Sequence, residues 1–195
     1  MEWLYAALGG YLLGSLPFAY WFGVLQNKNL LQEGSGNIGA TNAWRVLGAV
    51  PGLMVLVLDV SKGIMAVALG EFLVRDPGGG LLAGALAVLG HCYSLWLLGR
   101  GGKGIAPSVG VLFAVQPALL AAALGLFGLA FLLTQSRYRG VVLAALAFPP
   151  AALLIGGSLS YLWFGFGLAL PVVLRYLGDW NRQPTARPPQ SGPRS

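Results

Sequence analysis

The sequence predicts an all-α fold, a polytopic bundle of membrane helices, and three features carry that expectation. Of the 195 residues, 56% are hydrophobic and 9% are charged, whereas a soluble domain has about a quarter charged residues to cover a water-facing surface. The apolar residues fall into runs long enough to cross a hydrocarbon core of about 30 Å, which takes roughly 20 residues of helix. The basic residues gather in alternate loops, the bias that marks the cytoplasmic side of a membrane. These runs leave no room for a separate soluble domain within the 195 residues, and Cys92 is the single cysteine, which excludes an internal disulfide framework and zinc-type cysteine clusters.

Residues 3–25 form the first run, bounded by Glu2 and Lys28; with no Lys or Arg ahead of it, it reads as a retained span rather than a cleaved signal. The second run, residues 46–70, carries Asp59 and Lys62, and the third, residues 80–98, contains His91. Residues 105–136 and 140–174 are free of charge, and at 1.5 Å per residue each would make a helix of about 48 Å or more, too long for one crossing. Charge bias indicates how they fold. Lys28, Arg45, Arg100 and Lys103 lie in the first and third loops, and the second loop holds Glu71, Arg75 and Asp76. Turning the chain near Gln116-Pro117 and again near Gly156-Gly157-Ser158 returns Arg137, Arg139, Arg175, Arg182, Arg187 and Arg194 to the basic side. The expected topology is seven short spans, amino end outside and carboxyl end cytoplasmic, with four spans of only about 15 to 17 residues that need local bilayer thinning or flanking anchors. Five longer spans are the alternative. Gly10 with Gly14 and Gly80 with Gly84 place small residues on one helix face, as close helix packing requires. Residues 1–175 make the membrane-embedded domain; residues 176–195, with many Pro and Arg, are expected to be a disordered cytoplasmic tail whose arginines meet anionic lipid.

Two loops carry chemistry. The first reads Glu33-Gly34-Ser35-Gly36-Asn37-Ile38-Gly39-Ala40-Thr41-Asn42-Ala43-Trp44-Arg45. Its glycines match the spacing of a dinucleotide fingerprint, but that motif needs a preceding strand, and a membrane helix precedes it here. What remains is a set of donors suited to an anion: glycine N–H groups at Gly34 and Gly36, the side chains of Ser35, Asn37, Thr41 and Asn42, and the fixed charge of Arg45. The second loop, Gly99-Arg100-Gly101-Gly102-Lys103-Gly104, leads into a helix at Ile105. It lacks the first glycine and the Ser or Thr of a nucleotide P-loop, with Leu97 and Gly104 in those places. A glycine turn at a helix N-terminus still favours an anion, with Lys103 as a point charge for phosphate. Arg100 reads as a topology marker. Arg137, in Ser136-Arg137-Tyr138-Arg139-Gly140, is expected from topology alone and is also a candidate ligand. Asp59 and Lys62 are three residues apart on one helix face and read as a structural ion pair, and His91 reads as a histidine satisfied by a neighbouring helix.

Taken in order, Tyr11-Leu12-Leu13-Gly14-Ser15-Leu16-Pro17-Phe18-Ala19-Tyr20, the stretch Gly34 to Asn42 with Arg45, Asp59 with Lys62-Gly63, Gly90-His91 and Gly101-Gly102-Lys103-Gly104-Ile105-Ala106 resemble the bacterial glycerol-3-phosphate acyltransferase family that uses acyl phosphate as donor (PlsY). The resemblance covers roughly residues 11 to 110. It implies a multi-pass enzyme of the bacterial cytoplasmic membrane that makes lysophosphatidic acid for phospholipid synthesis, with inorganic phosphate as the second product and no cofactor, metal or nucleic acid. It places the first motif on Ser35, Asn37, Thr41 and Arg45, the glycerol-phosphate loop on Gly101 to Gly104 with Lys103, and an arginine-tyrosine pair on Arg137 and Tyr138. The chain departs from the family pattern at Pro107, Gly140, Tyr176 and Asp179, where Thr, Ser, His and Asn are usual.

An acyl phosphate is already activated, so the hydroxyl of glycerol 3-phosphate can attack it directly once position and charge neutralisation are provided. The expectation is that Lys103 and the glycine N–H groups hold one phosphate and that Ser35, Asn37, Thr41 and Arg45 hold the other and the developing oxyanion. The acyl chain lies between helices among membrane lipid. The proton goes to a substrate phosphate oxygen, since Glu33 is the one carboxylate beside these loops in the sequence. Two other readings stay open: a membrane carrier of phosphate esters, and a diverged, catalytically weak paralogue.

Overall fold

The computed structural model describes residues 1–181, and among them the regular structure is helical with no strand. The order is α1 (Glu2–Ser15), α2 (Phe18–Leu25), α3 (Ala40–Leu47), α4 (Ala49–Val74), α5 (Pro77–Cys92), a 3-10 turn (Leu95–Leu97), α6 (Ile105–Val115), α7 (Pro117–Thr134), α8 (Arg137–Gly156) and α9 (Leu159–Leu177). Leu and Ala are strong helix formers, so what shapes the chain is where it is interrupted. Pro17 has no N–H and restricts Leu16, and it separates α1 from α2 within one apolar segment, Glu2–Leu25. Pro117 occupies the first turn of α7, where its missing N–H costs nothing. Gly157 closes α8 with φ +68, a left-handed cap suited to glycine. Asp76 caps α5 by accepting from the Gly78 N–H at 2.7 Å.

Both long charge-free runs therefore turn where the sequence placed the breaks. Among the described residues, six helical segments are long and apolar enough to cross a membrane. The lengths differ from expectation: α7, α8 and α9 have 18, 20 and 19 residues, more than foreseen. The difference falls on α6, with 11 residues, about 16 Å of helix. Proline at 149, 150 and 171 stays inside helices, as membrane helices tolerate when neighbours satisfy the freed backbone groups.

The bundle is built on α4 and α5. Helix α1 packs on both, α6 on α4, α9 on α5, and α8 joins α7 to α9. Val67, Val88, Val111, Leu112, Phe148, Leu168 and Val172 meet in the core. Large apolar side chains such as Leu133, Leu154 and Trp163 face outward, a surface that lipid covers and water would not tolerate. The small-residue faces do pack. A Cβ on Gly10 or Gly14 would overlap the backbone of Ala83 or Ala87 on α5, and Gly84 lies against Val67 and Val111.

The expected tail boundary is corrected at its start. Tyr176 and Leu177 continue α9, and Asp179 and Trp180 have defined partners, because Tyr176 is four residues after the buried Val172 and stays on the inward face. The rest of the tail, residues 182–195, lies outside the described residues.

Gly10→Ala should cost about 1–3 kcal/mol, the usual cost of overpacking, because the added methyl meets backbone. Gly125→Ala, at a position with open space around the Cβ, should be neutral or stabilising by up to about 1 kcal/mol. Thermal unfolding in detergent compares the two.

Candidate active site

Four parts of the chain converge: residues 26–39 between α2 and α3, residues 93–104 between α5 and α6, the start of α8 and the end of α9. Asn42, buried in the first turns of α3, organises the first of them. Its amide Nδ2 donates to the Leu30 carbonyl at 3.3 Å and the Glu33 carbonyl at 3.0 Å, while its Oδ1 accepts from the Ser35 N–H at 2.8 Å. Lys28 reaches the other end of α3, donating to the Val46 carbonyl at 2.6 Å, a favourable place for a cation.

The second loop is seated on the end of α5. The Gly102 N–H donates to the His91 carbonyl at 2.9 Å, and a Cβ at Gly102 would overlap His91 Nε2, so only glycine permits this approach. From α9, Arg175 grips the same turn, with Nε donating to the Gly102 carbonyl at 3.0 Å and Nη2 to the Gly101 carbonyl at 2.6 Å. Lys103 then projects between two aromatic rings, its Nζ 5.2 Å from the Tyr138 ring centre and 4.8 Å from that of Tyr176, and pairs with Asp179. Arg137 stacks over Tyr138 at 4.9 Å and donates to its hydroxyl at 3.0 Å.

These parts enclose a cavity of about 530 Å³. Ser35, Asn37, Thr41, Asn42, Arg45, Lys103, Gly104 and Arg137 all line it, so the sequence-predicted residues from three separate loops do meet. Asp59 and His91 also line it, together with Tyr138 and Tyr176. Three cationic side chains thus face one space, a suitable surround for phosphate groups. Ile105, Val109, Phe127 and Val141 line both this cavity and an apolar groove of about 250 Å³ among α6, α7, α8 and α9, which continues past Ala144, Phe148 and Leu168. A charged head and an attached aliphatic chain would each find a matching surface.

Several expectations need correction. Asn42 was expected to bind substrate, but its amide is committed to holding residues 30–35. Gly34, Gly36, Gly101 and Gly102 are not among the residues lining the cavity. Gly34 and Gly36 turn the loop at φ +65 and +70, and the N–H groups of Ser35, Gly36 and Gly102 are spent on internal acceptors. The glycines shape the loops more than they donate. Nor is Glu33 the only carboxylate near: Asp59 lines the cavity and Asp179 holds Lys103. Asp59 and Lys62 do pair, at 2.9 Å, and Asp59 of that pair also lines the cavity. Arg175 was read only as a topology marker. Its spacing, three and four residues after the buried Val172 and Pro171, was the signal that put it on the inward face.

The chain is similar to known proteins along most of its length. A family model described as Glycerol-3-phosphate acyltransferase matches residues 4–183. A protein of Synechococcus sp. (strain JA-3-3Ab) named glycerol-3-phosphate acyltransferase is 40% identical over 190 residues, covering 97% of this chain and 93% of its own. One of the same name from Carboxydothermus hydrogenoformans is 36% identical over 178 residues, covering 91% and 90%. Crystal structures described as PlsY (YgiH), an integral membrane glycerol 3-phosphate acyltransferase, superpose in the glycerol 3-phosphate form with a TM-score of 0.80 and in the lysophosphatidic acid form with 0.78. Both are 28% identical to this chain; they cover 93% of it, and 92% and 91% of their own lengths are matched.

Arg175→Met should loosen the glycine turn, since two charge-assisted hydrogen bonds, each worth about 1.5–3 kcal/mol, disappear. Amide hydrogen exchange at residues 101–104 should accelerate about tenfold or more, while exchange in α4 stays as it was.

Proposed function

The chain belongs to the glycerol-3-phosphate acyltransferase family, and from that premise we propose that it transfers the acyl group of an acyl phosphate to glycerol 3-phosphate, giving lysophosphatidic acid and inorganic phosphate. The observation that carries this reading is the continuity of a cavity lined by Arg45, Lys103 and Arg137 with an apolar groove. One reactant is small and dianionic; the other joins an anionic head to a long hydrocarbon chain. The groove suits the chain, and the cavity suits both phosphates.

In this mechanism Lys103 holds one phosphate, which takes the place of the Asp179 carboxylate on the ammonium. The rings of Tyr138 and Tyr176 keep the ammonium in position by cation–π attraction. Ser35, Asn37, Thr41 and Arg45 hold the other phosphate and the oxyanion that forms as the hydroxyl adds to the acyl carbonyl. Asn37 can also accept from a substrate hydroxyl, since its Oδ1 is buried without a hydrogen-bond partner, a cost that such a hydroxyl would remove. Asn42 and Arg175 act one step back, fixing the two loops. The acyl–oxygen bond to phosphate breaks as the ester forms, and no acylated protein side chain is required.

The setting is the bacterial cytoplasmic membrane, crossed seven times when the short α6 is counted, with the amino end outside. The membrane domain runs to the end of α9 at Leu177. A carrier of phosphate esters is the rival. Carrier sites lie near the bilayer midplane between inverted repeats, whereas most residues lining this cavity belong to loops and helix ends.

Purified protein given acyl phosphate and labelled glycerol 3-phosphate should form a chloroform-soluble product, and an acyl thioester donor should not replace the acyl phosphate. Lys103→Ala should lower kcat/KM for glycerol 3-phosphate about 100-fold or more, the scale of losing a buried charge-assisted contact of about 3 kcal/mol. Uptake into vesicles without product, or unchanged kinetics of the variant, would remove this reading.

A further inference from the structure

The apolar groove has a length that can be read from its walls. Three helices each present to it four residues spaced i, i+3, i+4 and i+7, the stripe that two turns of helix place on one face. On α6 the stripe runs from Ile105 to Leu112, on α7 from Phe127 back to Leu120, and on α8 from Val141 to Phe148. Ile105, Phe127 and Val141 also line the polar cavity. All three stripes therefore start where the head of an acyl phosphate would sit, and they run the same way. Seven residues of helix advance about 10 Å.

The far end runs into the core. Leu112 and Phe148 are 5% and 4% exposed, and Ala152, the next residue on that face of α8, is fully buried in one cluster with Leu119. The side toward α7 is open: Leu124 lines the groove and is 58% exposed. An extended backbone covers about 3.3–3.6 Å per residue, or about 1.2 Å per bond, so a groove of about 10 Å takes about nine carbons of an extended chain. Volume gives a second measure. A cavity of about 150 Å³ accommodates the six carbons of benzene, so the groove's volume of about 250 Å³ holds about ten carbons in proportion. The two measures agree only if the groove is one chain wide.

Resting on the acyl-transfer reading, we infer that the groove selects donors whose acyl chain is unsubstituted over about its first nine carbons, and leaves the rest of the chain unread. The later carbons pass out over α7 at Leu124 into lipid. Length beyond the groove carries no penalty, because lipid is as apolar a setting as the leucines of the groove. Bulk near the carboxyl end does, because the α8 wall backs onto the packed core. Ala144 is the residue that sets this specificity. It is 8% exposed and lies three residues past Val141 on the α8 stripe, and a larger side chain there would close the groove after about four carbons.

A carbon bearing two methyl groups makes the test, because it cannot turn both toward the open side. With the unmodified full-length enzyme and hexadecanoyl phosphates in one detergent, a methyl pair at carbon 5 should lower kcat/KM for the donor about 5- to 150-fold, the range for forcing extra methylenes into a packed site. The same pair at carbon 12 should leave kcat/KM within about twofold of the unbranched donor. Ala144→Leu should lower kcat/KM for the unbranched donor about fivefold or more, with KM for glycerol 3-phosphate within about threefold. The donor series needs no variant, so it decides even where Ala144→Leu does not fold. Equal use of all three donors, rejection of the donor branched at carbon 12, or a folded Ala144→Leu enzyme with unchanged donor kinetics overturns the inference. An unmodified enzyme that forms no lysophosphatidic acid from the unbranched donor would instead defeat the acyl-transfer reading itself.

Discussion

The turn at residues 101–104 is held on both sides of its backbone: the Gly102 N–H goes to the His91 carbonyl, and the Gly101 and Gly102 carbonyls accept from Arg175. These bonds join α5, α6 and α9 at one point. Lys103 has a flexible four-carbon stem, and what makes it a defined feature is the anchored backbone on one side and the rings of Tyr138 and Tyr176 on the other. The place of Lys103 at the cavity follows from that seating.

Electrostatics explains why the seating matters. Two phosphorylated reactants repel: at 4 Å a pair of unit charges costs about 4 kcal/mol at an effective dielectric of 20. Cations fixed in advance lower that cost without reorganising during the reaction. Arg45 on α3, Lys103 ahead of α6 and Arg137 on α8 come from elements distant in sequence, so the bundle supplies what one loop could not. Asp179 occupies the Lys103 ammonium meanwhile, balancing a charge that would otherwise stand alone in a half-buried place.

The sequence made the punctuation of the fold legible and left its inward faces obscure. Pro117 and Gly157 mark turns through plain backbone chemistry, and the anion loops were visible because glycines and polar donors stand out between apolar runs. Helix orientation was not. A membrane helix is apolar toward lipid and apolar toward its neighbours, so the usual amphipathic stripe is missing. That is why Arg175, Tyr176 and Asp179 read as the edge of a tail, and why the position of Asp59 and His91 at the cavity was not visible. Asn42 shows the converse: a polar residue in a donor-rich loop proved to be a bracket for that loop.

The central claim is that the loops carrying Ser35 and Lys103 open to a common space at one face of the bilayer. Single cysteines placed by Ser35→Cys and Lys103→Cys in a Cys92→Ala background, labelled with a membrane-impermeant maleimide in vesicles of known orientation, test it most directly. The account predicts that both react from the cytoplasmic side and that neither reacts from the other. Labelling of the two positions from opposite sides would contradict it.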